Sequence, residues 1–292
     1  MNKLLPVVLA LSACGTDTPT SVDSGSPPDG FARLIGGDWS LPPSTQKYLC
    51  VRQTVTTDTW VKAIRPESPA GTHHSVLMVG APDQADGTTE CTSALTRPAI
   101  YGSGVGTQQL DLPDGVALHI KPGQQLLLNL HLFNAGDSPM TGTSGIDFLP
   151  IDPSQVMHEA GVVLAGTQSF TIPDGGVSTQ VGTCTTPATG SATVFAVAPH
   201  MHLLATHMKI TYADAAGANQ RVLHDADYSF DDQRYDSLTP ALITTPGSKL
   251  TVSCTYENHT GHPVSFGERT EDEMCYALTF VYPPPRATTC LR

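Results

Sequence analysis

Six side chains in this 292-residue chain have the types and spacing to hold transition metals. They are the adjacent pair His73 and His74, then His131, then His200 and His202 separated by one residue, and Met274 in Glu271-Asp272-Glu273-Met274-Cys275. Imidazole suits copper, zinc and iron, whereas a thioether is a poor zinc ligand and a good one for Cu(I). The set suffices for two sites of three protein ligands each, both open to a further ligand, and the methionine tilts the metal toward copper. On an extended strand residues i and i+2 share a face, so His200 and His202 can close on one ion without unusual backbone. His73 and His74 would point to opposite faces, so their joint use requires a twist or bulge at the strand entrance. His131 ends the apolar run that starts at Leu126. His119, His158, His207, His224, His259 and His262 have no comparable setting and read as structural or surface residues.

The elements that must position these ligands are strands. Runs rich in Val, Leu, Thr and aromatics span residues 48–55, 60–65, 74–79, 125–133, 169–172, 192–198, 206–212, 250–256 and 276–282. Gly, Pro, Asp or Ser clusters bound them. No stretch keeps a helical period over three turns. Charged residues are scarce at 14%, with 26 Gly and 24 Pro, as expected for many short strands joined by turns. The chain reads as all-β, with antiparallel sandwiches the default architecture. A boundary at Leu149-Pro150-Ile151-Asp152-Pro153 divides it into residues 41–150 and 151–292, each holding three of the six candidate ligands.

Seven cysteines occur. Apart from Cys14 there are six (Cys50, Cys91, Cys184, Cys254, Cys275 and Cys290), an even set that suggests three disulfides in an exported chain. No Cys-x-x-Cys pair marks a zinc site. If bridges stay within the two halves, Cys50 pairs with Cys91, while the four later cysteines leave several pairings open.

The chain opens Met1-Asn2-Lys3, runs apolar from Leu4 to Leu11, and continues Ser12-Ala13-Cys14. This resembles a bacterial lipoprotein signal over residues 1–14, with Cys14 lipidated and the protein held in the cell envelope by that lipid alone. Residues 15–40 read as a tether. The part from about Gly15 to Gly30 is built from Thr, Ser, Pro, Asp and Gly and has too little apolar surface to fold. A formal net charge of −12 with 15 Lys and Arg argues against nucleic acid or an anionic surface as partner.

Taken in order, Tyr48-x-Cys50, His73-His74, His131 after a Leu-rich strand, His200-x-His202 and Asp272-Glu273-Met274-Cys275 resemble one family. It is the type II copper, ascorbate-dependent monooxygenases, which include peptidylglycine α-hydroxylating monooxygenase and dopamine β-monooxygenase. The resemblance covers roughly residues 41–292. It implies two tandem jelly-roll-like antiparallel β-sandwich domains facing each other across a solvent-filled cleft. It also implies two coppers, O2, and ascorbate or another reductant as co-substrate. By the same resemblance His73, His74 and His131 hold an electron-transfer copper in residues 41–150. His200, His202 and Met274 hold the catalytic copper in residues 151–292. The implied disulfides are Cys50–Cys91, Cys184–Cys290 and Cys254–Cys275, and Tyr48 is implied to lie near the first copper.

The departures bear on substrate. Ala198 stands where the peptide hydroxylases place a carboxylate-holding Arg, and Asn129 where they place a Gln. Tyr276 and Leu278 stand where they carry an Asn and a Tyr used for substrate. The expected activity is hydroxylation of a C–H bond in a small, neutral or amine-bearing molecule. Arg221, Arg234 and Arg269 are the other cations that could supply a clamp. The alternative is a non-catalytic copper-handling surface lipoprotein on the same scaffold.

Overall fold

The computed structural model describes residues 29–92, 96–187 and 189–291. The signal segment, Cys14 and the first part of the tether lie outside the described residues. The first half contributes β1 (Ala32–Leu41), β2 (Thr45–Thr54), β3 (Thr59–Glu67), β4 (Thr72–Gly80), β5 (Gly87–Glu90), β6 (Ala99–Gly104), β7 (Leu110–Asp111), β8 (Val116–Ile120), β9 (Gln125–Asn134) and β10 (Met140–Pro150). The second contributes β11 (His158–Thr167), β12 (Thr171–Ile172), β13 (Gly176–Thr185), β14 (Thr193–His200), β15 (Ala205–Ala213) and β16 (Arg221–Asp227). It continues with β17 (Asp236–Ile243), β18 (Lys249–Asn258), β19 (Val264–Ser265), β20 (Cys275–Tyr282) and β21 (Thr289–Leu291). The all-β expectation holds, and the one helical element among the described residues is a 3-10 turn at Pro153–Gln155.

A long sheet runs β1-β10-β3-β8-β11-β20-β14-β17 through both halves. Its first part packs on a five-stranded sheet, β5-β2-β9-β4-β6, and its second part on a four-stranded sheet, β13-β18-β15-β16. The halves join where β8 and β11 pair in parallel, His158 opposite Val116. One core lies in each sandwich, and the first extends across the join to Ala160, Val162, Phe195 and Phe280. Strand β20 is therefore buried on both faces. Cys275, Ala277 and Val281 enter the second core, and Phe280 enters the first. A strand covered on both faces reads as an unbroken apolar run, which is what made 276–282 conspicuous.

Two expectations change. Residues 32–40, read as the end of the tether, form β1 together with Leu41, and Ile35 and Leu41 are fully buried. The physical reason is a pairing partner, since β1 lies antiparallel to β10 and the Trp39 ring rests on Gly142. A Cβ at Gly142 would come within 2.5 Å of the indole, so only glycine admits the ring. The run 169–172 shrinks to the two residues of β12.

Candidate metal centre

Strand β9 reads Gln-Leu-Leu-Leu-Asn-Leu-His-Leu-Phe-Asn and is buried at nearly every position. Its alternation sends Leu126, Leu128, Leu130 and Leu132 into the first core, worth roughly 1.5–3 kcal/mol each. Leu127, Asn129 and His131 take the other face. There Leu127 packs with Cys50 and Met78, and Asn129 Nδ2 donates to Thr92 O at 2.8 Å beside the Cys50–Cys91 bridge.

His131 is thereby fixed opposite His74 on β4. The β4–β9 register shifts between Thr72 and His74, so His73 sits in an irregularity of the kind its use requires. Thr72, just before it, shares a 2.6 Å hydrogen bond with Ser144, which also accepts from Trp39 Nε1 at 2.7 Å. Tyr48, paired with His131 on β2, stacks over its ring at 4.3 Å.

The three Nδ1 atoms converge. That of His73 lies 3.2 Å from His74 Nδ1 and 3.2 Å from His131 Nδ1. One proton can bridge only one such pair, whereas a cation serves all three lone pairs. Nitrogens at roughly 2.0 Å from a tetrahedral ion would stand about 3.3 Å apart, so the cluster has the dimensions of a metal site. Burial keeps the rings neutral and ready to ligate. It pulls His73 below its usual range, His74 well below it, and His131 down to about 4.

The second set is held differently. His200 ends β14 opposite Tyr276, His202 follows it, and Met274 directly precedes β20. Met201 between the histidines is fully buried in the second core, which turns both imidazoles the other way. His202 Nδ1 lies 3.0 Å from the Asp272 carbonyl, and His200 Nδ1 lies 2.9 Å from Gln233 Oε1. Donating to these oxygens leaves each Nε2 with a free lone pair, the arrangement found at histidine metal ligands. Burial lowers the His200 pKa and brings His202 to about 3.

Glu273 is the residue the sequence reading passed over. Its carboxylate is fully buried and accepts from the backbone N–H of His202 at 3.0 Å, Leu204 at 2.6 Å and Met274 at 3.3 Å. It thus ties the His-x-His turn to the methionine. Burial raises its pKa to about 7, against those three N–H groups, which favour the ionised form. Tyr256 donates to the Met274 carbonyl at 2.7 Å, and the Cys254–Cys275 bridge braces the next residue. Glu273 closes the acidic run Glu271-Asp272-Glu273, where nothing in the sequence sets it apart from its two acidic neighbours. Gln233, on a loop, offered no signal either.

The three disulfides are Cys50–Cys91, Cys184–Cys290 and Cys254–Cys275, as the resemblance implied. They mark an exported protein folded under oxidising conditions.

The expected solvent-filled cleft is replaced by contact. Thr107 Oγ1 donates to Gln233 O at 2.6 Å, Gln233 N donates to Val105 O at 3.0 Å, and the His74 and His200 rings are 6.3 Å apart. The ring of Phe230 lies 4.5 Å from that of His73 and 6.0 Å from that of His202. His74, His200, His202 and Met274 all line one cavity of about 80 Å³, with Ala198, Tyr276 and Leu278 in its wall. Of the three candidate arginines Arg234 alone lines it, tied to Asp232 at 2.6 Å. The other six histidines have local partners, such as Asp58 and Trp60 for His119 and Asp236 for His224.

Residues 158–292 match the family described as copper type II ascorbate-dependent monooxygenase, C-terminal domain. Among curated proteins the chain is similar to DBH-like monooxygenase protein 1 of Mus musculus, at 25% identity over 65% of this chain and 34% of that one. Its Homo sapiens counterpart matches at 25% over 72% and 36%, and DBH-like monooxygenase protein 2 of Mus musculus at 24% over 68% and 35%. The chain spans about a third of the length of the curated relatives it matches.

Proposed function

Because residues 158–292 match the C-terminal domain of the copper type II, ascorbate-dependent monooxygenases, we propose that this chain hydroxylates a C–H bond of a small organic substrate. One atom of O2 enters the product and the other leaves as water, with two electrons from ascorbate or a like reductant and two protons. The observation that carries this reading is that His74 of the first set shares one cavity with His200, His202 and Met274 of the second.

Copper, when bound, would supply one-electron redox chemistry and an open position for O2. His73, His74 and His131 would hold one ion and His200, His202 and Met274 the other, two per chain. The thioether of Met274 favours the reduced ion. The residues themselves orient and exclude water. Glu273 and Gln233 fix the second set, while Leu164, Ala198 and Leu278 give the cavity an apolar wall. With Ala198 and Leu278 in that wall, a neutral or amine-bearing substrate suits the site better than a carboxylate. Small-molecule sites commonly measure roughly 300–1,000 Å³, so a substrate of ordinary size requires the contacts between the halves to part.

The test is oxygen uptake by copper-loaded protein with ascorbate, with products of a C–H substrate panel read by mass spectrometry. Copper-dependent, substrate-dependent uptake supports the reading. Tight binding of two coppers without turnover on any substrate favours the alternative, a copper-handling protein, which the small size of the cavity would suit. The lipid on Cys14 belongs to the same proposal. Labelled palmitate should be incorporated in the native host and lost in Cys14→Ser.

A further inference from the structure

The second sandwich has another opening at the end away from the ligands. Between its two sheets lies a cavity of about 520 Å³, floored by Val163, Val194, Leu242, Leu250 and Val281. Ala192 and Val194 stand at the start of β14 and His200 at its end. The two cavities lie on opposite faces of the same strands, since Val163 and Thr279 line this one and their neighbours Leu164 and Leu278 line the other. The volume is that of a small-molecule site.

Thr185, Thr186, Thr189, Ser191 and Thr244 share the lining with these apolar side chains, and two further polar groups stand apart. Thr279 shares the face of β20 that carries Ala277 and Val281 into the second core, and it is 2% exposed. Its hydroxyl has no hydrogen-bond partner among the described residues, a state that few buried groups keep unless an occupant or water serves them. At the mouth stands Arg286, exposed, and without an ion pair among the described residues. In a chain of net charge −12 most cations have acidic neighbours, so an unpaired one over an apolar hollow stands out. Pro283, Pro284 and Pro285 lead into it and hold that rim stiff.

We propose that this cavity binds an aliphatic carboxylate of the fatty-acid class, its chain between the sheets and its head on Arg286. A neutral chain would fill the hollow without using the cation. A short anion would use the cation without filling the hollow.

Copper-loaded mature protein titrated with dodecanoate, followed by methyl NMR and calorimetry, tests this. One equivalent should saturate, with shifts confined to the methyls of Val163, Val194, Leu242, Leu250 and Val281. Arg286→Gln should weaken dodecanoate about tenfold and leave dodecanol unchanged, as loss of one charge-assisted hydrogen bond implies. Ala192→Trp, at the rim, should exclude both. Absence of saturable shifts at those methyls, or shifts centred on Leu278 and Met274, overturns the site. Dodecanol binding as tightly as dodecanoate, or an unaltered affinity in Arg286→Gln, overturns the anionic head. None of these readouts involves turnover, so the fate of the oxidation chemistry and that of this cavity are decided separately.

Discussion

The two candidate ligand sets offer the same number of donors but are built on different principles. His74 and His131 are opposite one another in the ladder of a five-stranded sheet, and an irregularity in that ladder brings in His73. Backbone hydrogen bonds position them, with Tyr48 stacked behind. His202 and Met274 lie just beyond strand ends, where no ladder reaches, and His200 closes its strand. Their geometry rests on the Glu273 carboxylate, the Gln233 amide and the Cys254–Cys275 bridge. One site is held by main chain and resists side-chain substitution around it. The other is held by side chains, and each of those can be removed.

The bluntest way to break the comparison is to remove one ligand from each set. His131→Ala and His200→Ala should each bind one copper per chain where the parent binds two. Turnover should fall by more than about a hundredfold in either, since loss of a supporting group alone costs roughly 10–100-fold. Metal analysis after dialysis, with oxygen uptake, measures both. A variant that keeps two coppers would remove that residue from the ligand set.

Glu273→Ala separates the two modes of support. It strands three backbone donors at about 1–3 kcal/mol each, so a loss of roughly 3 kcal/mol or more is expected in denaturant titration. Copper should be lost from the second set first. Equal loss from both sets would mean that the carboxylate acts on the fold at large.

Acid sharpens the contrast without mutation. In the unfolded chain histidine titrates near 6.5, whereas folded His131 titrates near 4 and His202 near 3. The unfolded state therefore takes up protons first. Stability of the copper-free protein should be fully present above pH 6.5 and fall as pH drops through the two folded values. The loss is about 3 kcal/mol for His131 alone, and the loss from His202 continues to lower pH. Replacing either with Gln should flatten the corresponding part of the curve. An unchanged slope in both variants would contradict burial as the cause.

Disulfide removal is gentler. Cys254→Ser/Cys275→Ser should cost about 2–4 kcal/mol and lower occupancy of the second set, because Cys275 adjoins Met274. Cys50→Ser/Cys91→Ser should disturb the first set through Asn129, by less, because the ladder remains.

The smallest effect concerns substrate. Glycine-extended peptides should be poor substrates for the parent. Ala198→Arg, placing a cation in the cavity wall, should improve their half-saturation about tenfold. Efficient turnover of such a peptide by the parent would point instead to Arg234.

The strands that showed in the sequence were those with one strong pattern. Residues 125–133 and 276–282 are apolar because both faces are covered, and 206–212 alternates because one is. Strands β1, β10, β11 and β13 went unread, because their Gly, Ser and Thr positions carry little pattern and a pairing partner makes them strands. Gly142 illustrates the point: it belongs in β10 because the Trp39 ring needs the space, a fact invisible within either segment.

What the sequence by itself determined is chemical and local. Residue type chose imidazole and thioether, and the two-residue period put His200 and His202 on one side of the chain. Adjacency alone demanded an irregularity at His73. The tertiary structure decided everything that needs two distant segments at once. It set His74 against His131 across a ladder, carried Glu273 beneath His202, and closed the halves until His74 shared one cavity with His200, His202 and Met274. Those arrangements follow from strand pairing and core packing over separations of 50 residues and more, and no local pattern encodes them.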